Sequence, residues 1–338
     1  MVNNILSLFD GCSGGQQALQ KTNINIGKYL SSEIEKAPQQ VTKYNFPNTI
    51  FLGDVRNVNP KELPKIDILL GGSPCQNFSF AGKRKGMSTK EKIEISSLEQ
   101  YLKLKNEDFV FEGQSYLFWE YMRILTDLKK INPDIIFLLE NVVMSEKWEK
   151  ILSNAIGVKP ILINSELVSA QHRKRLYWTN IEGITQPTDR NIKLKDIIET
   201  MEYPNKATIL GRRLNKDGKR KDYDKSIPII QCLEVRESNR EKSNCLTTVP
   251  KDNVLTTLPI GRHPDVYGKV YGKKLPYRNY TSLEYERLQT VKDDYTKYGL
   301  NSEGVKVEIA KSNRLKMLGN GWTIEVIVWI LSHIKVKN

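Results

Sequence analysis

The chain has 338 residues, 39% of them hydrophobic and 27% charged, enough to bury a large core in one big domain or in one with a smaller lobe. No apolar run approaches the roughly 20 residues of a bilayer span. Met1-Val2-Asn3-Asn4 offers no basic region for a leader peptide, so a cytoplasmic protein away from membranes is expected. The excess of 52 Lys and Arg over 39 Asp and Glu, a net charge of +13 with pI near 9.3, points to a polyanionic partner, nucleic acid first.

Ile5-Leu6-Ser7-Leu8-Phe9 reads as a buried strand. It runs into the glycine loop Asp10-Gly11-Cys12-Ser13-Gly14-Gly15 and the helix-like Gln16-Gln17-Ala18-Leu19-Gln20-Lys21, the opening of a nucleotide-binding α/β unit. The loop is neither G-x-G-x-x-G nor a P-loop, and no lysine follows to hold a triphosphate, which argues against an NTPase. Tyr29-Leu30-Ser31-Ser32-Glu33 reads as a second strand ending in an acid about 20 residues on, where a carboxylate grips ribose hydroxyls. Ile50-Phe51-Leu52-Gly53-Asp54-Val55 is a third, with an acid able to accept a hydrogen bond from an adenine amino group. Two acids after successive strands suit an adenosine without phosphates, since carboxylates repel a pyrophosphate. S-adenosylmethionine, cationic at sulfur, is such a ligand. Either acid alone would serve as a helix cap or a solvated loop residue.

The fourth apolar run, Ile66-Asp67-Ile68-Leu69-Leu70, stops at Gly71-Gly72 and leads through Ser73-Pro74 to Cys75. Strand ends of open α/β sheets carry active sites, so this thiol is a candidate nucleophile, although most free cysteines are small buried hydrophobes. Gln76-Asn77-Phe78-Ser79-Phe80-Ala81-Gly82 precede the basic run Lys83-Arg84-Lys85, a cationic segment suited to an anionic polymer. Residues 83–114 read as an insertion with a helical patch at Ile95, Leu98, Leu102 and Leu104. A cover over the site, a DNA contact and a plain solvated helix all fit it. Residues 117–125 form an amphipathic helix ending before Asn132-Pro133, its aromatic stripe read as core. The four cysteines, Cys12, Cys75, Cys232 and Cys245, show no zinc-type spacing, so free thiols in a reducing compartment and no metal are expected.

Ile135-Ile136-Phe137-Leu138-Leu139, the most apolar strand, ends in Glu140-Asn141-Val142, where a partly desolvated carboxyl can share a proton with a ring nitrogen. Ile161-Leu162-Ile163-Asn164 and Arg175-Leu176-Tyr177-Trp178 read as two further strands. Before the second lies Gln171-His172-Arg173-Lys174-Arg175, in which Arg173 and Arg175 point the same way on an extended backbone. A solvated basic edge is the plain alternative. From residue 181 to 276 long apolar strands disappear; Gly211-Arg212-Arg213, Asp217-Gly218-Lys219-Arg220-Lys221, Thr247-Thr248 and Thr256-Thr257 set the texture. This reads as a smaller lobe whose basic and hydroxyl groups suit phosphates and base edges. Thr281-Ser282-Leu283-Glu284 is a capping box that opens a helix. Gly319-Asn320-Gly321-Trp322-Thr323 is a glycine turn before a helix with Ile324, Ile327, Leu331 and Ile334 on its core face.

In this order, Phe9 to Gly15, Gly53-Asp54-Val55, Gly72-Ser73-Pro74-Cys75-Gln76, Glu140-Asn141-Val142, Gln171-His172-Arg173-Lys174-Arg175, residues 278–289 and Gly319-Asn320-Gly321 resemble the DNA cytosine-5 methyltransferases, stand-alone bacterial and phage enzymes in particular. The resemblance covers nearly all of the chain except residues 83–114 and 181–276. It implies an α/β fold: a Rossmann-like S-adenosylmethionine domain with a mixed, mostly parallel seven-stranded sheet from residues 1–180 and 277–338, and a target-recognition lobe over 181–276. The implied reaction is methyl transfer to C5 of a flipped-out cytosine in double-stranded DNA, through addition of Cys75 to C6.

By the same resemblance Glu140 meets N3 and the amino group of the base, while Arg175, supported by Arg173, meets O2. Phe9, Asp10, Gly11, Cys12, Gly14, Gly15, Glu33, Ile34, Asp54, Val55, Pro74 and Asn320 bind S-adenosylmethionine. Gln76, Ser79, Lys83, Arg84, Lys85, Gln171, Arg212, Arg213, Thr247 and Thr248 face DNA. A monomer on DNA, associated with the nucleoid and with a restriction endonuclease as a further candidate partner, completes the expectation. Trp322 departs from the family pattern, where many relatives carry Ser and then a small apolar residue. The rival readings are a tRNA cytosine methyltransferase on the same fold, disfavoured by the sizeable basic lobe, and a catalytically silent DNA-binding regulator, disfavoured by Cys75, Glu140 and both arginines. An amino-group methyltransferase would carry an Asp/Asn-Pro-Pro-Tyr type motif in place of Ser73-Pro74-Cys75-Gln76.

Overall fold

Apolar runs buried on both sides build the central sheet of the computed structural model, which describes residues 3–74, 94–236 and 241–335. The first half of the chain forms β1 (Asn3–Leu8), α1 (Gly14–Leu19), β2 (Ile26–Ser32), α2 (Lys36–Asn45), β3 (Ile50–Phe51) and β4 (Ile68–Gly72). There follow α3 (Leu98–Asn106), α4 (Phe118–Ile131), β5 (Ile136–Val142), α5 (Glu146–Ile156), β6 (Ile161–Asn164) and β7 (Lys174–Thr179). The strands lie in the order β3-β2-β1-β4-β5-β7-β6. Neighbours are parallel from β3 to β5, and β7 runs antiparallel to both β5 and β6. The mixed seven-stranded sheet expected from the sequence is present.

A smaller sheet then forms from β8 (Asn205–Arg212), β9 (Ile230–Val235), β10 (Val254–Thr256), β11 (Gly261–His263) and β12 (Tyr277–Asn279), in the order β11-β9-β8-β10-β12. The chain returns to the larger body as α6 (Ser282–Leu288), the hairpin β13 (Tyr298–Leu300) and β14 (Lys306–Glu308), α7 (Lys311–Asn320) and α8 (Ile324–Leu331). No helix among the described residues is long and apolar enough to cross a membrane.

Parity sorts the central side chains. Ile5, Ile68, Leu70, Leu138 and Tyr177 join one core cluster with α1, α6, α7 and α8 residues such as Leu19, Leu288, Leu318 and Ile327. Their neighbours Leu6, Leu8, Leu69, Phe137, Leu139 and Trp178 join the other, with Trp119, Leu125 and Leu152 of α4 and α5. A parallel sheet covered on both faces needs such uninterrupted apolar strands. Ile181, Ile184, Leu194 and Ile197 also pack into the larger body's first cluster, while Ala207, Ile209, Leu233, Val235, Val254 and Val266 form a separate small core in the lobe.

The insertion is docked where it is described. Ile95 and Tyr101 are buried in the second cluster, and Glu120 of α4, fully buried, receives Tyr101 Oη at 2.5 Å, Lys105 Nζ at 2.5 Å and Arg123 Nε at 2.7 Å. The capping box forms as written. Thr281 Oγ1 accepts the Glu284 N–H at 3.1 Å, Glu284 Oε2 accepts the Thr281 N–H at 2.9 Å, and Arg278 grips both Glu284 oxygens at 2.8 and 2.7 Å.

This topology positions the site. From β1 the sheet grows outward to β2 and β3, then the chain crosses to place β4 on the other flank of β1. Loops leaving β1 and β4 therefore diverge and open a crevice at the carboxyl ends of the strands. The glycine loop follows β1, and Ser73-Pro74 follows β4 on the way to Cys75.

Candidate active site

The β1 loop is held by its own buried acid. Asp10 accepts hydrogen bonds from Ser13 Oγ at 2.6 Å, Tyr29 Oη at 2.7 Å and Ser31 Oγ at 2.8 Å. Burial pushes this carboxyl up despite those hydroxyls. The side chain expected on the cofactor thus faces inward and shapes the loop. Phe9, at φ 56°, and Ser13, at φ 57°, sit in the left-handed region, a strain that over-determined functional loops tolerate. Cys12 is buried with its thiol pushed up to about 12 by desolvation and by Asp10, and its carbonyl accepts Tyr295 Oη at 2.7 Å. As an inert thiol it can offer a ligand only backbone.

Glu33 stands across the crevice. Its carboxylate accepts the Gly11 N–H at 2.8 Å and the Ile34 and Glu35 N–H groups at 2.7 and 2.8 Å. It ties the β1 loop to the β2 end and keeps acceptor capacity for a diol. Ile34 beside it is 64% exposed, an apolar surface suited to a purine face. Asp54 caps a 3-10 turn over Val55–Asn57 and grips Arg56 through Nε at 3.0 Å and Nη2 at 2.5 Å. The hydrogen bonds from Arg56 hold its carboxyl below the usual range. An adenine amino group would therefore share Asp54 with Arg56. Val55 is buried and Pro74 is half-buried at the far wall. Two carboxylates, an exposed isoleucine and a loop without lysine fit a cationic adenosyl sulfonium better than a nucleotide phosphate. S-adenosylmethionine is the cofactor of the family reported below.

An acid–arginine pair comes from adjacent antiparallel strands. Val142 on β5 faces Arg175 on β7, and Arg175 Nε meets Glu140 Oε1 at 2.9 Å with both side chains almost buried. Asn141 Nδ2 donates to Ser73 Oγ at 3.0 Å and to its carbonyl at 3.3 Å, fixing the turn that precedes Cys75. A Cβ on Gly72 would lie 2.9 Å from Trp322 Nε1 and 3.3 Å from Glu140 Oε2. Trp322, the departure from the family pattern, is thus a wall between the β4 end and α8. Asn320, expected at the cofactor, ends α7 and is exposed.

The structure places several more of the expected site residues elsewhere. Gln171, expected on DNA, is fully buried; its amide donates to Leu288 O at 2.6 Å and Gln289 Oε1 at 2.8 Å, and its Oε1 accepts the Leu246 N–H at 3.2 Å. Arg173 does share a side with Arg175, but its guanidinium is spent on carbonyls: Leu246 at 3.1 Å, Gly319 at 3.3 Å and Gly321 at 2.8 Å. It clamps the lobe segment 243–247 to the turn between α7 and α8, which makes it a positioning residue. Arg212 is also engaged, by Glu234 at 2.7 Å and Asp222 at 3.7 Å. Arg213 uses its N–H on Asp222, Thr247 Oγ1 donates to Asp252 at 2.7 Å, and Thr248 is exposed. Cys75, Gln76, Ser79, Lys83, Arg84 and Lys85 lie outside the described residues.

Sequence reasoning missed Cys245. Its sulfur lies 3.4 Å from Arg173 Nη1 and 3.7 Å from Arg175 Nη2; burial raises the thiol, but the two guanidinium charges outweigh it and leave it lowered. The contact was invisible because about 70 residues and a change of sheet separate the partners. The lobe is seated so closely there that a Cβ on Gly319 would fall 2.6 Å from the Thr247 carbonyl oxygen. Backbone cannot yield cheaply, so Gly319→Ala is expected to lower stability by about 2–3 kcal/mol, read from the midpoint of urea unfolding.

The crevice, the acid–arginine pair and the glycine loops agree with what similar proteins are. Type II methyltransferase M.NgoBV of Neisseria gonorrhoeae is 29% identical over 231 residues, 66% of this chain and 52% of that protein. The orphan methyltransferase M.SPRI of Bacillus phage SPR is 32% identical over 207 residues, 58% of this chain and 42% of its own length. The matches span about half the length of these curated relatives. Among solved structures, a DNMT2 variant from Spodoptera frugiperda superposes with a TM-score of 0.59 at 18% identity, covering 98% of this chain and 99% of that one. The methyltransferase EhMeth of Entamoeba histolytica gives 0.63 at 13%, covering 98% of each. These two share the fold. The profile of the C-5 cytosine-specific DNA methylases matches residues 3–336, nearly the whole chain, and the chain belongs to that family.

Proposed function

We propose that the protein methylates C5 of cytosine in double-stranded DNA, with Cys75 as the nucleophile. The observation that carries this reading is the Glu140–Arg175 pair, 2.9 Å apart, at strand ends beside the turn that leads into Cys75. Cytosine C5 is a poor nucleophile until a thiolate adds at C6 and gives C5 enamine character. Addition puts charge on the ring, which Glu140 at N3 and the amino group, and Arg175 at O2, are disposed to stabilise. S-adenosylmethionine, when bound, supplies an electrophilic methyl group. Loss of the C5 proton then expels Cys75 as thiolate. A base stacked in a duplex cannot reach such a pocket, so the target is flipped out, and the lobe over 181–276 is the part proposed to recognise its surroundings. The same reading has the chain act on DNA as a monomer, with a restriction endonuclease as a candidate partner in the cell.

The test is methyl transfer from labelled S-adenosylmethionine to duplex DNA and to tRNA in parallel, followed by bisulfite sequencing of DNA from cells expressing the chain. Label in tRNA with none in duplex DNA overturns the substrate assignment. Cys245 gives a finer check. Alanine removes one hydrogen-bond partner of Arg175, worth about 1 kcal/mol, so Cys245→Ala is expected to lower kcat about fivefold. Cys245→Ser should restore most of it, since the hydroxyl is also an acceptor; steady-state kinetics on both variants reads the difference.

A further inference from the structure

The smaller sheet carries an arrangement of charge that methyl transfer itself does not use. Thr208, Glu234 and Arg262 lie in one row across β8, β9 and β11, and by strand alternation Arg212 and Arg236 share their face. The opposite face, with Ile209, Leu233 and Val235, is the lobe's core. Glu234 Oε1 takes Arg212 Nε at 2.7 Å and Arg262 Nε at 3.1 Å, while Oε2 takes Arg236 Nη2 at 2.9 Å. Burial raises this carboxyl, but the hydrogen bonds from the three arginines hold it down at about 2.

A carboxylate has about four acceptor sites, and here three of them are taken by arginines, one hydrogen bond from each, which leaves the cluster a net charge of about +2. The exposures of the three arginines differ: the Arg212 side chain is 12% exposed, Arg262 33% and Arg236 69%. Arg212, also beside Asp222, is a strut, whereas Arg262 and Arg236 are the more exposed two, each meeting Glu234 through a single nitrogen. The face is continuous with the catalytic pair. Asn244 Nδ2 donates to Thr208 Oγ1 at 3.4 Å, and the next residue is Cys245, whose sulfur touches Arg173 and Arg175. The Arg262 end of the row lies two strands from Thr208, on the order of 10 Å by strand spacing, about three base-pair steps of duplex. Residues 205–236 add to the field, with nine Lys and Arg against four Asp and Glu.

We propose that Glu234 is a template that fans Arg236 and Arg262 outward onto phosphates of duplex DNA flanking the target base, with Arg212 as its strut. This rests on the duplex-DNA reading above and adds to it a role for an acid. Charge counting alone predicts that removing an acid from a DNA-binding face tightens binding. The template predicts the opposite, because without Glu234 three like charges repel and splay.

The experiment measures binding of the full chain to a mixed-sequence duplex of about 30 base pairs, by fluorescence anisotropy from about 50 to about 200 mM salt. Glu234→Gln is expected to weaken binding severalfold and to flatten the salt dependence. The double variant Arg236→Ala/Arg262→Ala, which leaves the lobe core untouched, is expected to lose about two units of log–log slope, near 0.9 per phosphate contact. Equal or tighter binding by Glu234→Gln, with its thermal midpoint unchanged, overturns the template, and so does an unaltered slope in the double variant. If Glu234→Gln unfolds the lobe, the double variant decides alone. A slope change seen with tRNA but not with duplex DNA overturns the choice of partner. Failure of the functional reading looks different: a wild-type chain that binds duplex DNA with the arginine-dependent slope and transfers no methyl to it.

Discussion

Replacing Cys75 with alanine is expected to abolish methyl transfer, by a factor of about ten thousand or more, while binding of S-adenosylmethionine and of duplex DNA stays close to wild type. Without a thiolate at C6 the ring has no enamine character. Cys12 is an inert buried thiol. Cys245, although burial of its thiol is outweighed by Arg173 and Arg175, which lower it, sits on the guanidinium side of the pair, away from the Ser73-Pro74 turn that Asn141 holds. The Cys75→Ala/Cys245→Ala double variant should therefore be no more inactive than Cys75→Ala. Duplex DNA carrying 5-fluorocytosine sharpens the measurement. Fluorine cannot leave C5 as a cation, so the adduct that normally collapses persists and appears as a protein–DNA band that survives denaturing electrophoresis. The wild-type chain should give this band in the presence of S-adenosylmethionine, and Cys75→Ala should not. A persistent band in the alanine variant, or undiminished label transfer, would remove Cys75 from the mechanism.

What the sequence made legible follows from where burial is uniform. β4 and β5 lie between two helix layers, so their residues are apolar on both faces, and the strands stand out as continuous runs. The capping box at Thr281 was equally plain, because its partners are three residues apart. Edges were harder. The third strand, read over six residues, pairs only at Ile50–Phe51, because Gly53 at φ 70° turns the chain and Asp54 then caps a 3-10 turn. Gly319 and Asn320 read as a turn, yet they close α7; the glycine is there for the Thr247 carbonyl packed on it.

Side-chain roles divided in the same way. Glu140 and Arg175 come together because antiparallel pairing of two recognisable strands brings them together. Gln171 and Arg173 look like surface groups in a basic run, and only segments some 70 to 150 residues later bury them: the lobe at Leu246, the end of α6 at Leu288 and Gln289, and the α7–α8 turn at Gly319 and Gly321. Arg212 reads as a DNA contact by composition, but its guanidinium is committed to Glu234 and Asp222. Long-range polar contacts of this kind leave no periodic trace in a chain.

Arg173→Ala is expected to cost about 3–5 kcal/mol, a large fraction of the roughly 5–15 kcal/mol that holds an ordinary domain folded. Arg173 is 3% exposed, and its guanidinium donates to the carbonyls of Leu246, Gly319 and Gly321 and to the Cys245 sulfur. Gly321 O keeps a donor in Gln289 Nε2 at 3.1 Å and Leu246 O keeps the weak Cys245 Sγ donor at 3.4 Å, so lost charge-assisted bonds cost about 1–3 kcal/mol each, and a cavity is left as well. Lysine should not rescue the loss, since one ammonium cannot span carbonyls on two segments and is harder to desolvate than a planar guanidinium. The three carbonyls belong to the lobe and to the α7–α8 turn, so the damage should fall on how the lobe is seated. Duplex binding is expected to weaken far more than binding of S-adenosylmethionine, whose proposed contacts lie on the β1 and β2 loops. Urea unfolding and separate titrations with duplex and cofactor check this. If Arg173→Ala instead keeps its unfolding midpoint and its duplex affinity while kcat alone collapses, the arginine acts on the base after all and the clamp assignment is wrong.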